Sequence, residues 1–513
     1  MSTRTLPVNA ILAAGVGMGF AGDFFLRGPG EPGLNFALLF AGLAASVGIV
    51  ALNGGPRLSR EAVGWMAVGI LLGTGLVWRG SELLRFLAFV SASVAFALPA
   101  FHAGRAWVRK AGVADLFEAV AASGCHAALG SARLLQKEQW ETVGADESHR
   151  TARTATRSVV LGVLLATVPL GIFGALFLSA DPVFAQILGD FVRIDLRAFA
   201  SHLIVIAILS WLACGYLAGF SSGTRLDGLR AVGWEAPTLR TGEVAIALGL
   251  VDLLFLGFVS VQFRYLFGGA EMVEVTPGLT YAAYAREGFF QLVAATALGL
   301  PWLLAADSLL GKREESARWS FRVLAGAQIV LLLAIVASAV QRMRAYLDAY
   351  GLTEDRFVAL AVLLWLALLV VWFGATVLRG RRNPFAFGAV VSGVGLIVLL
   401  HLSNPTAYAA RSHLDRAGAV LHHESDSGSR LDVTYLATLG SDAAPVLVGR
   451  IDELAEAARC EVASALLSRW GPDREWDWRN WNLADWRARQ VVRAEGERLR
   501  AMAEGGEECG NRL

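Results

Sequence analysis

The sequence predicts an all-α integral membrane protein of about 11 transmembrane helices, followed by a small helical C-terminal domain outside the cytoplasm. Three observations carry this prediction. Of the 513 residues, 55% are hydrophobic and 17% are charged, whereas soluble domains carry about 25% charged residues. About 11 separate stretches are apolar over the roughly 20 residues that a helix needs to cross the hydrocarbon core. From about residue 404 onward the chain turns polar.

The predicted spans follow one another with short connections, apart from one long gap. They cover residues 8–26, 34–52, 62–78, 83–101, 159–179, 199–220, 244–261, 289–306, 323–340, 357–378 and 385–402. The first stretch is long, carries Asp23 and has no convincing small-residue cleavage site. We therefore interpret it as a retained span rather than as a signal peptide.

Positive charge in the connections predicts the orientation. Lys and Arg resist translocation, so cytoplasmic loops carry an excess of both. The connections on the side of the N-terminus hold about twice as many Lys and Arg as those on the other side. We expect the N-terminus in the cytoplasm, and an odd number of spans then places the C-terminal part outside. The balance of 45 basic against 44 acidic residues predicts no nucleic-acid partner.

Composition divides the chain into four predicted parts. They are a first four-helix transmembrane block (1–101), a cytoplasmic loop with an amphipathic helix (102–157), a seven-helix transmembrane block (158–403) and a soluble helical domain (404–513). In the loop, apolar residues recur at helical spacing from Val113 to Val120. Two interpretations stay open for this helix: it lies along the inner membrane surface, or it packs against the bundle.

Several connections and helix ends carry distinctive sequence. They are LSADPVFAQIL (178–188), VQFRYLFGG (261–269), YAAYAREGFFQL (281–292), RMRAYLDAYGLTEDRF (342–357), NPTAYAARSHLDRA (404–417) and LDVTYLATLGSDAAPVL (431–447). In this order they resemble a bacterial multi-pass inner-membrane family catalogued only as a domain of unknown function (4153/4173). The resemblance implies a multi-pass fold in the bacterial inner membrane, and it implies no activity.

Arginine and tyrosine gather in the connections predicted to lie outside. On a helix, Tyr281 and Tyr284 share one face with Gly288, and Arg342 shares another with Tyr346. A guanidinium suits carboxylate or phosphate, and tyrosine supplies an amphipathic wall with a hydroxyl. Together the faces predict one ligand pocket. Its candidate residues are Arg264, Tyr281, Tyr284, Arg286, Glu287, Arg342, Arg344 and Asp348.

The same residues have a second interpretation. Tyrosine, tryptophan and arginine concentrate at membrane interfaces because each has an apolar body and a polar tip. Such a belt, with structural ion pairs such as Arg344 with Asp348, needs no ligand. A belt explains the tyrosines, whereas acidic residues interleaved with arginine are the argument for a pocket.

Asp252 is the predicted intramembrane acid. It lies near the middle of the span 244–261, where an unpaired carboxylate is expected to be protonated or turned toward another helix. Two roles stay open: coupling to a proton or a cation, and a single interhelical hydrogen bond.

The polar C-terminal part holds clusters without a recognisable site. Four histidines between His401 and His423 lack metal-ligand spacing, and we expect neither a metal nor another cofactor. Five tryptophans between residues 470 and 486 suit the core of this domain, stacking on sugar rings, or the membrane interface. Cys460 and Cys509 are a candidate disulfide if this part lies outside.

Three functions fit these observations. The first is binding or transport of a small anionic, lipid, glycan or peptide ligand through a pocket that faces outward. The second is an envelope enzyme, for which the sequence supplies neither a nucleophile with its base nor a metal motif, so no catalytic residue is predicted. The third is a signalling or scaffold subunit. The lipid bilayer is the one partner that the composition predicts, and no oligomeric state follows from it.

Overall fold

The structure is a computed structural model. It describes residues 7–28, 31–99, 108–134, 173, 177, 180, 196–222, 240–267, 288–310, 315–422, 432–472 and 477–504. Over these ranges the chain forms α-helices and short 3-10 helices, and no β-strand. The predicted all-α class is confirmed.

The described α-helices are numbered here in chain order. Those in the first half are α1 (Val8–Leu26), α2 (Leu34–Leu52), α3 (Arg60–Trp78), α4 (Glu82–Ala97), α5 (Val113–Leu129), α6 (Ser131–Leu134) and α7 (Leu196–Ser222). The next five are α8 (Thr241–Phe267), α9 (Phe289–Leu309), α10 (Glu315–Tyr350), α11 (Glu354–Thr376) and α12 (Arg382–Ser403). The C-terminal helices are α13 (Pro405–His422), α14 (Val433–Thr438), α15 (Ala444–Gly449), α16 (Glu456–Trp470), α17 (Leu483–Ala494) and α18 (Gly496–Glu504).

Within the described ranges, nine helices are long and apolar enough to cross a bilayer, namely α1, α2, α3 and α7 to α12. The protein is therefore a multi-pass membrane protein. The predicted span 83–101 corresponds to α4, which has 16 residues, and the span 159–179 lies almost entirely outside the described residues. The count of about 11 spans stays a prediction.

The chain forms two compact units. The first unit holds α1, α2, most of α3 and α4, α5 to α7, and the short segment 477–482. The second holds the turn 78–84, α8 to α16, α17 and α18. The four-part division inferred from composition stays a prediction.

In the first unit, α1 and α7 pack closely along glycine positions of α1. A methyl group added at Gly15 would overlap Cys214. One added at Gly19 would overlap Ser210 and the carbonyl oxygen of Ile206. Small residues let two helix backbones approach, and the resulting van der Waals contact drives helix association in lipid.

Helix α5 packs against α7. An added Cβ at Gly215 of α7 would meet backbone atoms of α5, and one at Gly219 would meet the ring of His126. On the other side of α5, the apolar side chain of Phe117 is exposed. The structure thus shows one face of this helix packed against the bundle, and contact of its exposed apolar face with the membrane surface stays a prediction.

The segment 477–482 also packs in the first unit. The backbone N–H of Leu34 donates to the carbonyl oxygen of Trp481 at 3.1 Å. The side-chain amide of Asn482 donates to the carbonyl oxygen of Leu76 at 2.9 Å. The Trp478 ring lies edge-on to Phe25, with ring centroids 6.3 Å apart. Trp478 therefore packs on the C-terminal end of α1.

In the second unit, α8 and α10 run parallel. Near their N-termini, Val244 of α8 shares an apolar cluster with Phe321 of α10. Farther along, Val259 of α8 packs with the cluster that holds Ile335 and Ala339 of α10. Both helices therefore progress in the same direction, which places residues of similar depth side by side.

The C-terminal helices have an apolar core of their own within the second unit. Leu414 of α13, Leu436 of α14 and Ile451 are fully buried in it. Val462 of α16 and Val492 of α17 complete its centre. Trp470 belongs to the same cluster, so one described tryptophan packs in this core.

Gly19→Ala is expected to lower the free energy of unfolding by about 1–3 kcal/mol, because the methyl group must displace Ser210 or separate α1 from α7. Gly17→Ala is the matched control, since an added Cβ there meets no atom within 4 Å; we expect a change of less than about 0.5 kcal/mol. The measurement is unfolding of the purified proteins by titration with sodium dodecyl sulfate in micelles. Equal stabilities of the two variants would contradict the close packing.

Candidate functional site

Arg342 is held by polar groups of two parallel helices. Its Nη2 donates to Oε1 of Gln262 on α8 at 2.8 Å. The hydroxyl of Ser338 donates to the same oxygen at 3.0 Å. Gln262 and Ser338 are both buried. One amide oxygen therefore receives two hydrogen bonds and orients the guanidinium between α8 and α10.

The guanidinium also lies at the N-terminal end of α9. Gly288, directly before this helix, has a φ of 89°, and an added Cβ would lie 2.6 Å from Nη1 of Arg342. Both the left-handed backbone and the lack of space require glycine here. A helix N-terminus carries partial positive charge and N–H groups without intrahelical partners. Guanidinium and helix end together have the chemistry of an anion site.

The other candidate pocket residues are not all described. Four of them lie outside the described residues: Tyr281, Tyr284, Arg286 and Glu287. Arg264 lies on α8, two positions after Gln262. Arg344 and Asp348 are exposed on α10, and no ion pair joins these two described residues. For all of them the pocket stays a prediction.

The two tyrosines on the face of Arg342 pack against another arginine. The rings of Tyr346 and Tyr350 meet edge to face, with centroids 5.0 Å apart. The guanidinium carbon of Arg356 lies 4.1 Å from the Tyr346 centroid and 5.9 Å from that of Tyr350. Arg356 also donates to the carbonyl oxygen of Gly351. These cation–π contacts close the turn between α10 and α11.

A buried ion pair joins the C-terminal part to the turn after α3. Nη1 of Arg79 donates to Asp442 at 3.0 Å, and Nε donates to the carbonyl oxygen of His401 at 2.7 Å. The backbone N–H of Gly80 donates to the second carboxylate oxygen of Asp442 at 2.7 Å. Arg79 is 7% exposed and Asp442 8% exposed. Each charge therefore depends on the other, since an unpaired buried charge is costly.

Glu354, at the start of α11, lies at the same end of the second unit. Ser81 and Thr406 each donate a hydroxyl to one of its carboxylate oxygens. Its backbone N–H donates to the hydroxyl oxygen of Tyr435 at 3.2 Å. Burial raises the pKa of Tyr435 to about 12, so this hydroxyl stays neutral. Both oxygens of Glu354 are thus engaged in joining separate segments of the chain.

His413 belongs to the same set of contacts, which we call the junction: Arg79 with Asp442, and Glu354 with Ser81, Thr406 and Tyr435. Its Nε2 donates to the carbonyl oxygen of Leu352 at 3.0 Å, and its ring lies 5.1 Å from that of Tyr435. Burial lowers the pKa of His413, so the neutral ring is favoured. The distinctive stretches 342–357, 404–417 and 431–447 therefore meet at one place.

Asp252 lies on the face of α8 that packs against the other helices of the second unit. It is 9% exposed, and neither of its carboxylate oxygens has a hydrogen-bond partner among the described residues. Gln328 of α10 is fully buried, and its amide nitrogen and oxygen are also without partners in the described part of the chain. The interhelical hydrogen bond considered for Asp252 is not formed there.

The first unit contains an apolar cavity of about 340 Å³. Met18, Phe40 and Phe89 contribute to its wall, and Tyr216 lies at one side. The Tyr216 hydroxyl donates to the carbonyl oxygen of Phe96 at 2.7 Å, so its polar tip is occupied. The lining suits a hydrocarbon chain.

Sequence reasoning missed several residues that the structure brings together. Gln262, Gln328 and Ser338 were not singled out because only ionisable residues were treated as exceptional inside spans. Their signal was present as uncharged polar side chains within apolar helices. Arg79 and Asp442 are separated by 363 positions, and no local pattern predicts such a pair.

Asp442→Asn is expected to lower the free energy of unfolding by about 3–5 kcal/mol, because Arg79 then stays buried without its countercharge. Asp452→Asn is the control: Asp452 pairs with Arg498 on the surface, and loss of such a pair costs at most about 1 kcal/mol. Urea unfolding followed by tryptophan fluorescence measures both. A variant Asp442→Asn as stable as Asp452→Asn would show that the ion pair is not needed.

A family model described as a domain of unknown function (DUF4153) matches residues 66–449, which is more than half of the chain. No curated protein and no solved structure matches. The matched range includes Arg79, Asp252, Arg342 and Asp442. The chain is therefore a multi-pass membrane protein that belongs to the DUF4153 family, a family of unknown function.

Proposed function

We propose that this protein binds a small anionic ligand, either a free anion or the anionic headgroup of a lipid or glycan, and that binding is a step in its transport or reception. The proposed site lies at Arg342, between the N-terminal end of α9 and the C-terminal part of α10. The remaining candidate residues are Arg264, Tyr281, Tyr284, Arg286, Glu287, Arg344 and Asp348. The observation that carries the proposal is the guanidinium of Arg342 beside the N-terminus of α9.

The electrostatics favour an anion over a neutral ligand. The guanidinium of Arg342 and the N-terminal end of α9 both carry positive charge, so both attract an anion. The guanidinium is oriented in advance by Gln262, so binding needs little side-chain ordering. A bidentate contact to carboxylate or phosphate is the geometry that arginine favours.

The proposed membrane is the bacterial inner membrane, with the N-terminus in the cytoplasm and the C-terminal part outside. The excess of Lys and Arg in the connections on the side of the N-terminus supports this orientation. Cys460 takes part in a disulfide, whereas Cys125 and Cys214 are free. Disulfides persist in oxidising compartments, so a disulfide in the C-terminal part supports the same orientation. Cys509, its proposed partner, lies outside the described residues.

A scaffold role is the second candidate. The C-terminal helices are joined to the turn 78–84 and to the start of α11 by buried polar contacts. A domain held in this way presents its remaining surface in a fixed orientation. An envelope enzyme has less support. Glu354 is a buried carboxyl group that could act as its acid, but both of its oxygens are engaged in hydrogen bonds.

Arg342→Gln is expected to abolish stabilisation of the purified protein by anions. Two probes are compared by thermal unfolding: inorganic phosphate in detergent, and nanodiscs of phosphatidylglycerol against nanodiscs of phosphatidylcholine. A ligand at about 100 times its Kd stabilises by about 2.7 kcal/mol. Stabilisation by phosphate indicates a free anion, and stabilisation by phosphatidylglycerol alone indicates a lipid headgroup.

The control for this experiment is Arg411→Gln, which removes the same charge from an exposed position of α13. It is expected to respond to both probes as the unsubstituted protein does. Equal responses of Arg342→Gln and the unsubstituted protein would refute the site. If removal of residues 405–513 abolished a cellular phenotype that Arg342→Gln left intact, the scaffold role would take its place.

Alkylation tests the proposed orientation. In protein extracted from cells with thiols blocked at lysis, we expect Cys125 and Cys214 to be alkylated before reduction, and Cys460 and Cys509 only after reduction. Peptide mass spectrometry measures each site, and Cys509→Ser should make Cys460 reactive without reduction. Full alkylation of Cys460 in the unreduced, denatured parent protein would contradict an oxidising surrounding.

A further inference from the structure

Two buried polar side chains in the second unit have no polar partner among the described residues. Asp252 of α8 is 9% exposed and Gln328 of α10 is 0% exposed. Both oxygens of the carboxyl group and both polar atoms of the amide are without hydrogen bonds in the described part of the chain. In a membrane interior an unpaired polar group is costly, because hydrocarbon offers no hydrogen-bond partner.

The register of the two helices places these side chains at the same depth. The hydrogen bond from Ser338 to Gln262 joins residues that are 76 positions apart. Because α8 and α10 run parallel, the same offset applied to Asp252 gives Gln328. Asp252 also follows Leu248 by one helical turn, and Leu248 is buried in the cluster that contains Ala325 and Leu332 of α10. Two unsatisfied groups therefore lie at one level of one helix pair.

The two described helices that pack on α8, α9 and α10, bring no charged side chain to this level. On α10, the sequence contains no charged residue between Arg322 and Arg342, and on α9 none before Asp307. Arg322 donates to the carbonyl oxygen of Leu378, and Asp307 pairs with Arg382. The helices packed on α8 in the described part thus supply no countercharge for a carboxylate at Asp252, so ionisation there is opposed by desolvation alone.

We propose that Asp252 and Gln328 form a proton-binding site within the membrane. Protonation makes the carboxyl group of Asp252 a donor that can turn its O–H to the amide oxygen of Gln328, a hydrogen bond that the structure does not contain. When the proton leaves to water, the amide nitrogen donates to the carboxylate instead. Glutamine suits this role because its amide offers an acceptor and a donor, so it pairs with both protonation states. The site takes up one proton from water and returns it to water.

This site is separate from the anion site at Arg342. Ten residues of helix rise, about 15 Å, separate Asp252 from Gln262, and apolar side chains such as Val259 and Ile335 occupy the interval. Proton binding therefore does not rest on the proposed anion binding. If both hold, the same helix pair carries a proton site and an anion site.

Infrared spectroscopy of the full-length protein in nanodiscs at neutral pH, without added ligand, tests the proposal. A protonated carboxyl group has a C=O stretching band that carboxylates lack and that shifts in D₂O. We expect Asp252→Asn to lose the band of one carboxyl group. Asp348→Asn, an exposed acid of α10, is expected to keep it. Gln328→Leu should move the band to higher frequency, because the hydrogen bond is lost, and Gln341→Leu on the exposed face should leave it in place.

A second acid keeps the test informative if Asp252→Asn does not fold. Asp252→Glu is expected to retain a D₂O-sensitive carboxyl band at a shifted frequency. Arg342→Gln should leave the band unchanged, which separates failure of this site from failure of anion binding. Identical spectra of Asp252→Asn and the unsubstituted protein would show that Asp252 is ionised and would overturn the proposal. A band that is unmoved by Gln328→Leu would remove Gln328 from the site.

Discussion

The fold depends on one constraint: inside hydrocarbon, a polar group has no water to bond and must find its partner within the protein. Several polar side chains of the described spans find their partner on their own helix. The hydroxyls of Ser46, Ser221 and Thr296 donate to carbonyl oxygens one turn earlier on their own helices, at 2.8, 2.8 and 2.9 Å. Against this background the polar groups between α8 and α10 differ, because they reach across helices or have no partner in the described chain. Their cost to the fold is the physical reason to assign them a function.

The second unit contains two groups of polar contacts, and we assign them different roles. At one end, hydrogen bonds and an ion pair join the C-terminal helices to the turn after α3 and to the start of α11. The side chains that form them are Arg79 with Asp442, and Glu354 with Ser81 and Thr406. Between α8 and α10, Arg342 is oriented by Gln262 and lies at the start of α9. The first group of contacts holds the C-terminal helices in position, whereas the second orients the guanidinium of Arg342. We therefore propose that the α8–α10 pair serves function, whereas the buried contacts of Asp442 and Glu354 serve stability.

The sequence predicts the spans well because hydrophobic length is a local property, and α1 and α2 have the predicted bounds. It also indicates Arg342 and Asp252, since charge in or beside an apolar helix is visible without a fold. It does not indicate Gln262, Gln328 or Ser338, whose roles depend on the parallel register of two helices that are separated in the chain. Nor does it indicate that Arg356 packs on Tyr346, or that Trp478 packs beside Phe25, because both contacts depend on how helix ends meet in space. Four of the eight candidate pocket residues lie outside the described part of the chain, so their place in the pocket stays a prediction.

Both the proposed anion site and the proposed proton site depend on the register of α8 against α10. Disulfide cross-linking in native membranes tests this register most directly. In a background with the native cysteines replaced, Gln262→Cys with Ser338→Cys and Asp252→Cys with Gln328→Cys should each cross-link rapidly under mild oxidation. Leu254→Cys with Gln328→Cys should not, because Leu254 is exposed on another face of α8. Cross-linking of the Leu254 pair, without cross-linking of the Asp252 pair, would contradict the account.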